Sequence, residues 1–162
     1  MRLFINLNQG NTMNNLLLQH AFVTNTSYAP FVLRLVAGII FIAHGAQKLF
    51  AWFGGYGLEG TGQWMASIGL TPGYLMALLA GSAEFFGGIF LLIGLLTRAS
   101  AAVLATTMLV AIFAVHFENG LFMSNNGYEF ALSLLAVTLS LAISGAGKLS
   151  LDNQFHATIR KA

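Results

Sequence analysis

Long apolar runs, separated by short polar stretches, occur four times along the chain. They occupy residues 31–53, 73–96, 99–117 and 127–146. Each run is long enough to cross a hydrocarbon core of about 30 Å as a helix. Backbone groups in lipid have no water to bond with, so a spanning segment must satisfy them internally. The pattern therefore predicts an all-α fold, an integral membrane four-helix bundle.

The link between the first two runs is longer than the others and has its own pattern. After a break at Gly54-Gly55, residues 59–65 predict a short interfacial helix between helices 1 and 2. Aromatic side chains gather around this link, as they do at the headgroup level of a membrane. They are Trp52, Tyr56, Trp64 and Tyr74.

The remaining segments flank the membrane domain. We expect a polar lead-in at residues 1–29, a transmembrane domain at 30–153 and a cytoplasmic tail at 154–162. The apolar pieces of the lead-in are too short for the core of a signal peptide. Met1 and Met13 are both candidate start residues of the chain.

The composition agrees with lipid as the main solvent. Hydrophobic residues make up 57% of the 162 residues and charged residues 7%, with a mean hydropathy of +0.76. A soluble domain carries about 25% charged residues, so we expect the lipid bilayer to be the principal partner. The net charge of +2 provides no basic surface for nucleic acid. The absence of cysteine excludes disulfides and thiolate metal sites within this chain.

The basic residues predict the orientation of the bundle. A cytoplasmic N-terminus leaves Lys48 toward the outside and places the other basic residues at or near the cytoplasmic face. Those residues are Arg2, Arg34, Arg98, Lys148, Arg160 and Lys161. We therefore expect both termini on the cytoplasmic side.

Ionisable residues inside the apolar runs point to a site, since each costs about 2.5–3.5 kcal/mol to insert. At helical spacing, Arg34, His44 and Lys48 share one face of the first helix. Glu84 shares a face of the second helix with several small residues, which let a neighbouring backbone approach closely. Rise per residue places five of these residues in the outer half of the bundle, with Arg34 nearer the cytoplasm. The five are His44, Lys48, Glu84, His116 and Glu129.

These six residues are our candidates for a ligand or proton site. The alternative is a set of structural ion pairs, in which Glu84 and Glu129 neutralise two of the three cations on the first helix. A metal site at His44 and His116 is not predicted, because the chain has neither cysteine nor carboxylates at short spacing.

Several motifs resemble those of the DoxX family. Residues 33–34 and 41–50 are similar to its first-helix signature, and 84–88 with 94–98 to its second-helix pattern. Residues 126–129 and 145–152 resemble its closing motifs. The resemblance covers about residues 30–153, in order and with matching spacing.

The resemblance implies a multi-pass protein of the bacterial plasma (inner) membrane. Some members of the family are small subunits of thiosulfate:quinone oxidoreductases, and others are linked to membrane redox complexes that protect against oxidative stress. The positions that match the family's polar residues are Arg34, His44, Lys48, Glu84, Arg98, Glu129 and Asp152.

Our leading hypothesis is a quinone-interacting subunit of a membrane redox complex. His44 and Lys48 would donate hydrogen bonds to the quinone, and Glu84 or Glu129 would relay protons. Electrons would come from a soluble or membrane redox partner, and whether this chain itself catalyses a reaction is left open. One alternative is transport or binding of a small solute or proton, which would call for a homo-oligomer. Another is a non-catalytic assembly subunit that docks partners through the interfacial helix or the tail at 153–162.

Overall fold

A computed structural model describes residues 27–159 of the chain. Most of the expected lead-in, including both candidate start residues, lies outside the described residues, as do Arg160 and Lys161. Within 27–159 there are six α-helices and no strand. They are α1 (Ala29–Phe50), α2 (Gly57–Ser67), α3 (Gly73–Ile93), α4 (Thr97–Ala111), α5 (Glu129–Ser144) and α6 (Leu151–Ile159).

Three of these helices have the length and apolar composition to cross a membrane. They are α1, α3 and the continuous stretch Thr97–Asn119, in which α4 is extended by a π turn and a 3₁₀ turn. Helix α5 is apolar but has only 16 residues, a length of about 24 Å. The predicted all-α four-helix architecture is confirmed, with the fourth helix shorter than the run at 127–146.

Two helix ends differ from the predicted runs because the backbone turns into the left-handed region. Helix α1 stops at Phe50, since Ala51 has φ 59°. Helix α3 stops at Ile93, since Gly94 has φ 67°. Gly94 N–H then donates to Leu91 O at 3.1 Å, a bond that satisfies one carbonyl at the helix end. The apolar side chains beyond these points extend the hydrophobic run without extending the helix.

Helices α1 and α3 pack closely through glycines. A Cβ on Gly38 would lie 2.9 Å from Gly88 O, and a Cβ on Gly45 would lie 2.7 Å from Phe85 Cα. Small residues at such crossings let two backbones approach in lipid, where burial of apolar surface gives no drive for association. Helices α4 and α5 complete the bundle around an apolar core that includes Phe41 and Leu104.

The predicted interfacial helix is confirmed as α2, which packs mainly on the beginning of α3. A Cβ on Gly62 of α2 would lie 2.9 Å from Tyr74 Cα. Thr61 and Met65 are buried, whereas Trp64 is exposed. The bundle thus has two different ends. The Lys48 end carries α2 and the loop between α4 and α5, and the Arg34 end carries the start of α1 and the segment leading to α6.

Candidate functional site

An ion pair joins α1 to α3 at the Lys48 end. Lys48 Nζ lies 2.6 Å from Glu84 Oε2, with the Glu84 side chain 5% exposed and that of Lys48 23% exposed. Gly81, one turn before Glu84, provides room for the crossing, since a Cβ there would lie 3.2 Å from Lys48 Cβ. A buried carboxylate is costly unless it is paired, so this pair fixes where the two helices meet.

On one side of the pair lies a cavity of about 110 Å³ between the bundle helices. All four bundle helices contribute to its wall. The polar side chains on the wall are His44, Lys48, Glu84 and His116, and the apolar ones are Phe41, Met108, Ala111, Phe130, Ala131 and Leu134. The structure thus brings together four of the six residues that the sequence analysis predicted as site candidates.

His116 reaches this cavity from the π turn that ends α4. Its Nδ1 lies 2.8 Å from the carbonyl oxygen of Asn126, in the loop before α5. A carbonyl can only accept a hydrogen bond, so Nδ1 carries the proton and donates. In a neutral ring the other nitrogen, Nε2, is then an acceptor.

On the other side of the ion pair is a larger groove of about 550 Å³, open to the surroundings. It lies between the end of α1, the turn at 52–56 and α2. Its lining residues are Gln47, Lys48, Gly54, Gly55, Tyr56, Gly60, Thr61 and Trp64. Lys48 lines both spaces, so this one residue is shared by the groove and the cavity.

The groove residues other than Lys48 were not among the sequence candidates. Tyr56 and Trp64 were interpreted only as members of an aromatic belt, and Gln47 and Thr61 carry no charge to single them out. The amphipathic pattern of α2, which turns Thr61 toward the end of α1, is the signal that would have indicated these groove residues. Neither Phe85 nor the exposed Phe86 lines either space.

Arg34 is at the opposite end of the bundle, where its contacts indicate a structural role. The side chain is 1% exposed, and every one of its five hydrogen-bonded acceptors is a backbone carbonyl. They are Ala146 O at 3.0 Å, Leu91 O at 3.2 Å, Leu92 O at 2.8 Å, Lys148 O at 3.2 Å, and Leu149 O. The guanidinium therefore ties α1 to the end of α3 and to the segment after α5.

Glu129 does not line the cavity, contrary to the expected convergence. Its Oε1 accepts a hydrogen bond of 2.6 Å from Met123 N–H. Glu129 is the first residue of α5, and its carboxylate folds back on the preceding loop, where a backbone N–H group provides its partner. Its role in neutralising those cations is accordingly not supported.

Two further residues of the family pattern, Asp152 and Arg98, make structural hydrogen bonds at the Arg34 end. Asp152 accepts hydrogen bonds from Leu96 N–H at 2.7 Å and Thr97 N–H at 2.9 Å, which caps the start of α4. Arg98 donates to Ala142 O at 2.9 Å, which links α4 to the end of α5. Within residues 27–159, no group of three or more His, Asp or Glu side chains is arranged to hold a metal ion.

Fold and site together define a small helical membrane protein with a structural end and a polar, accessible end. The family model for DoxX matches residues 29–117. "Putative oxidoreductase CatD" of Bacillus subtilis (strain 168) is 38% identical over 121 residues, covering 75% of this chain and 82% of that relative. "Inner membrane protein YqjF" of Escherichia coli (strain K12) is 35% identical over 127 residues, covering 75% and 87%.

A third relative, "Inner membrane protein YphA" of Escherichia coli (strain K12), is 30% identical over 128 residues, covering 76% of this chain and 87% of its own. No solved structure matches the chain. The chain belongs to the DoxX family and is an inner-membrane protein. The resemblance expected from its motifs is confirmed.

Proposed function

We propose that this chain is a quinone-interacting subunit of a membrane redox complex, and that the quinone headgroup binds in the groove beside α2. One observation carries the proposal. Lys48, held by Glu84 at 2.6 Å, lines both an open groove and a cavity that His44, Glu84 and His116 also line. A hydrogen-bond donor at a ligand site is thereby joined to a carboxylate that can pass protons.

The sizes of the two spaces favour the groove as the ligand site. Pockets for small molecules usually measure about 300–1,000 Å³, and the groove has about 550 Å³. The cavity beside His116, at about 110 Å³, is too small for a substituted quinone ring. The groove also lies at the level of the interfacial helix, where a ligand dissolved in lipid can enter from the side.

The chemistry of the groove wall suits a quinone. Such a ring has two carbonyl oxygens that need donors, and Lys48, Gln47 and Thr61 offer an ammonium, an amide and a hydroxyl group. Trp64 and Tyr56 offer aromatic surface for the ring. Reduction of the ring consumes protons as well as electrons. Lys48 would donate a proton to a ring oxygen, and Glu84 would return one to Nζ.

Electrons would come from a partner. The chain has no cysteine, and the proposal assigns its residues only to binding and proton transfer. The name of CatD describes an oxidoreductase, which favours a redox setting over transport. The partner would be a soluble or membrane dehydrogenase that contacts the Lys48 end.

The proposal is tested first by mass spectrometry of the quinones that co-purify in mild detergent. Wild type is expected to retain quinone at near-stoichiometric amounts. Thr61→Leu, which fills the groove, is expected to lose it. The matched control Thr106→Leu changes an exposed threonine of α4 and is expected to retain it. Background quinone in wild type, or equal amounts in all three proteins, would contradict the proposal.

Fluorescence gives a direct binding measurement, because the chain has two tryptophans. In a Trp52→Phe background, Trp64 is the remaining reporter at the groove. Titration with a short-chain ubiquinone or menaquinone is expected to quench it saturably, and Thr61→Leu is expected to abolish saturation. Linear quenching that is the same in both proteins would indicate partition into detergent and no site.

We also propose that the Lys48 end faces away from the cytoplasm. Arg34, Arg98 and Lys148 lie at the opposite end, and cytoplasmic segments are enriched in such residues. Since the chain has no cysteine, single cysteines report cleanly on sidedness. In intact cells, a membrane-impermeant thiol reagent is expected to label Ser124→Cys and to spare Asn153→Cys. The reverse pattern would place the Lys48 end inside.

A further inference from the structure

The π turn at the end of α4 has a specific effect on the cavity. In a regular α-helix, seven residues make nearly two turns, so Val115 would lie beneath Met108 and His116 would point about 80° away. The π turn Ile112–His116 adds one residue. His116 consequently takes the place that Val115 would have had, and it lines the cavity with Met108 and Ala111. Such insertions occur frequently at functional sites.

The outer side of His116 is at the exposed loop between α4 and α5. Its Nδ1–H donates to Asn126 O at 2.8 Å, and the side-chain amide of Asn119 donates to the same oxygen at 3.3 Å. Residues 117–126 are all exposed. The imidazole therefore stands at the boundary between the loop and the cavity, with Nε2 as the ring nitrogen not engaged by Asn126.

The cavity behind His116 is large enough for water, and four polar side chains stand on its otherwise apolar wall. A water molecule occupies about 30 Å³ in the liquid and needs two to four polar partners. A space of about 110 Å³ therefore holds roughly three. The titratable groups that face it are His44 and Lys48 from α1, Glu84 from α3 and His116 from α4. The lining residues of α5 are Phe130, Ala131 and Leu134, which bring no charge.

We propose that this cavity is a hydrated relay that carries protons between the loop at His116 and the Lys48–Glu84 pair. The inference rests on the proposed function for its destination, the groove. A proton enters from loop water, crosses the cavity through His116 and bound water, and reaches Glu84. When Lys48 gives a proton from Nζ to a ligand oxygen, Glu84 replaces it. Oxidation of a quinol runs the same steps in reverse, and the partner dehydrogenase exchanges the electrons.

Hydration is tested without quinone. Water-edited solid-state NMR of quinone-stripped protein in lipid bilayers measures transfer of magnetisation from water to the His44 and Glu84 side chains. We expect rapid transfer in wild type. Ala131→Leu, which fills the cavity, is expected to suppress it, with Ala111→Leu as the replacement if that variant does not fold. The matched control Ala136→Leu, at an exposed position of α5, is expected to behave as wild type.

The relay is tested by the kinetics of proton uptake. Short-chain ubiquinone bound to the protein is reduced with dithionite in a stopped-flow instrument, and a pH-sensitive dye reports the protons taken up. His116→Phe is expected to slow uptake about 100-fold, at the lower end of what loss of a positioned proton-transfer group costs. Its quinone affinity, measured by Trp64 quenching, should stay unchanged. A merely structural role of His116 would leave the uptake rate unaltered.

The outcomes separate the two proposals. Saturable quinone binding with dry His44 and Glu84 side chains would overturn the relay and leave the proposed function intact. Hydrated side chains without saturable binding would overturn the proposed function, and with it the relay's destination. Hydration, binding and slow proton uptake in His116→Phe together would support both.

Discussion

The two ends of the bundle each hold a cation inside the membrane domain, and they use it differently. Arg34 is 1% exposed, and its hydrogen bonds go to five backbone carbonyls. Lys48 is 23% exposed, pairs with one carboxylate and lines two spaces. An intramembrane cation whose donors all bond to backbone carbonyls has a structural role, because it holds helices together. One that borders open space beside a buried carboxylate is available for chemistry.

The difference follows from the side chains themselves. A guanidinium has five N–H donors in a rigid fork and keeps its charge, so it can satisfy several helix-end carbonyls at once. An ammonium is a compact charge on a flexible stem, and its proton can be transferred. We expect this contrast to appear as graded losses of stability when residues at the two ends are replaced.

Loss of Arg34 should have the largest effect. Arg34→Ala leaves the carbonyls of Leu91, Leu92 and Ala146 without this donor, and bonds to a charged group contribute about 1.5–3 kcal/mol each. We expect the free energy of unfolding in mixed micelles to fall by at least about 4 kcal/mol. Arg34→Lys should be intermediate, since one nitrogen cannot reach all five acceptors. A loss below about 1 kcal/mol in Arg34→Ala would contradict the structural role of Arg34.

Separating the Lys48–Glu84 pair should have the next largest effect. Lys48→Met alone leaves a buried carboxylate without its cation, and breaking such a pair costs about 3 kcal/mol. Adding Glu84→Gln removes the charge and should restore most of this loss. A double-mutant cycle on unfolding free energies is therefore expected to give a coupling of about 1–3 kcal/mol. Additive effects would mean that the two groups do not interact in the membrane.

Removal of the Asp152 cap should have a smaller effect, confined to the Arg34 end. Asp152→Ala takes away the acceptor of Leu96 N–H and Thr97 N–H, and loss of a helix cap typically costs about 1 kcal/mol. Quinone retention at the other end should be unchanged, which mass spectrometry of the purified variant checks. Loss of quinone without unfolding would show that the two ends are coupled.

The smallest effect on stability is expected at Thr61. Thr61 is buried, but Thr61→Val keeps the shape of the side chain and removes only the hydroxyl group, so unfolding free energy should fall by less than about 1 kcal/mol. Quinone affinity from Trp64 quenching should nevertheless fall, by about fivefold for one hydrogen bond of roughly 1 kcal/mol. Unchanged affinity would exclude Thr61 from the ligand site. A large loss of stability would make the groove wall part of the structural core.

Much of the fold could be predicted because lipid imposes one strong rule on sequence. Apolar runs of sufficient length must be helices, and the glycines of 54–55 marked the break after the first run. The ends at Phe50 and Ile93 could not be found in this way. The apolar run continues past both, and only the φ angles of Ala51 and Gly94 show where the helix stops.

The site was predictable in part. Helical periodicity placed His44 and Lys48 on one face of the first helix, and rise per residue placed Glu84 of the second helix at a similar depth. The same reasoning included Arg34 and Glu129, since it counts charges inside apolar runs without knowing their partners. Backbone carbonyls took the donors of Arg34, and the loop N–H of Met123 took the carboxylate of Glu129.

The sequence by itself determined that this is a helical membrane protein, because hydrophobicity and periodicity are local properties. Its motifs also indicated the DoxX family. Only the tertiary structure decided which charges meet. Lys48 reaches Glu84 because glycines bring α1 close to α3, and His116 faces the cavity because a π turn shifts its register. The groove exists because α2 folds back over the end of α1. Each depends on contacts between residues far apart in the chain, or on backbone geometry, and no local pattern encodes them.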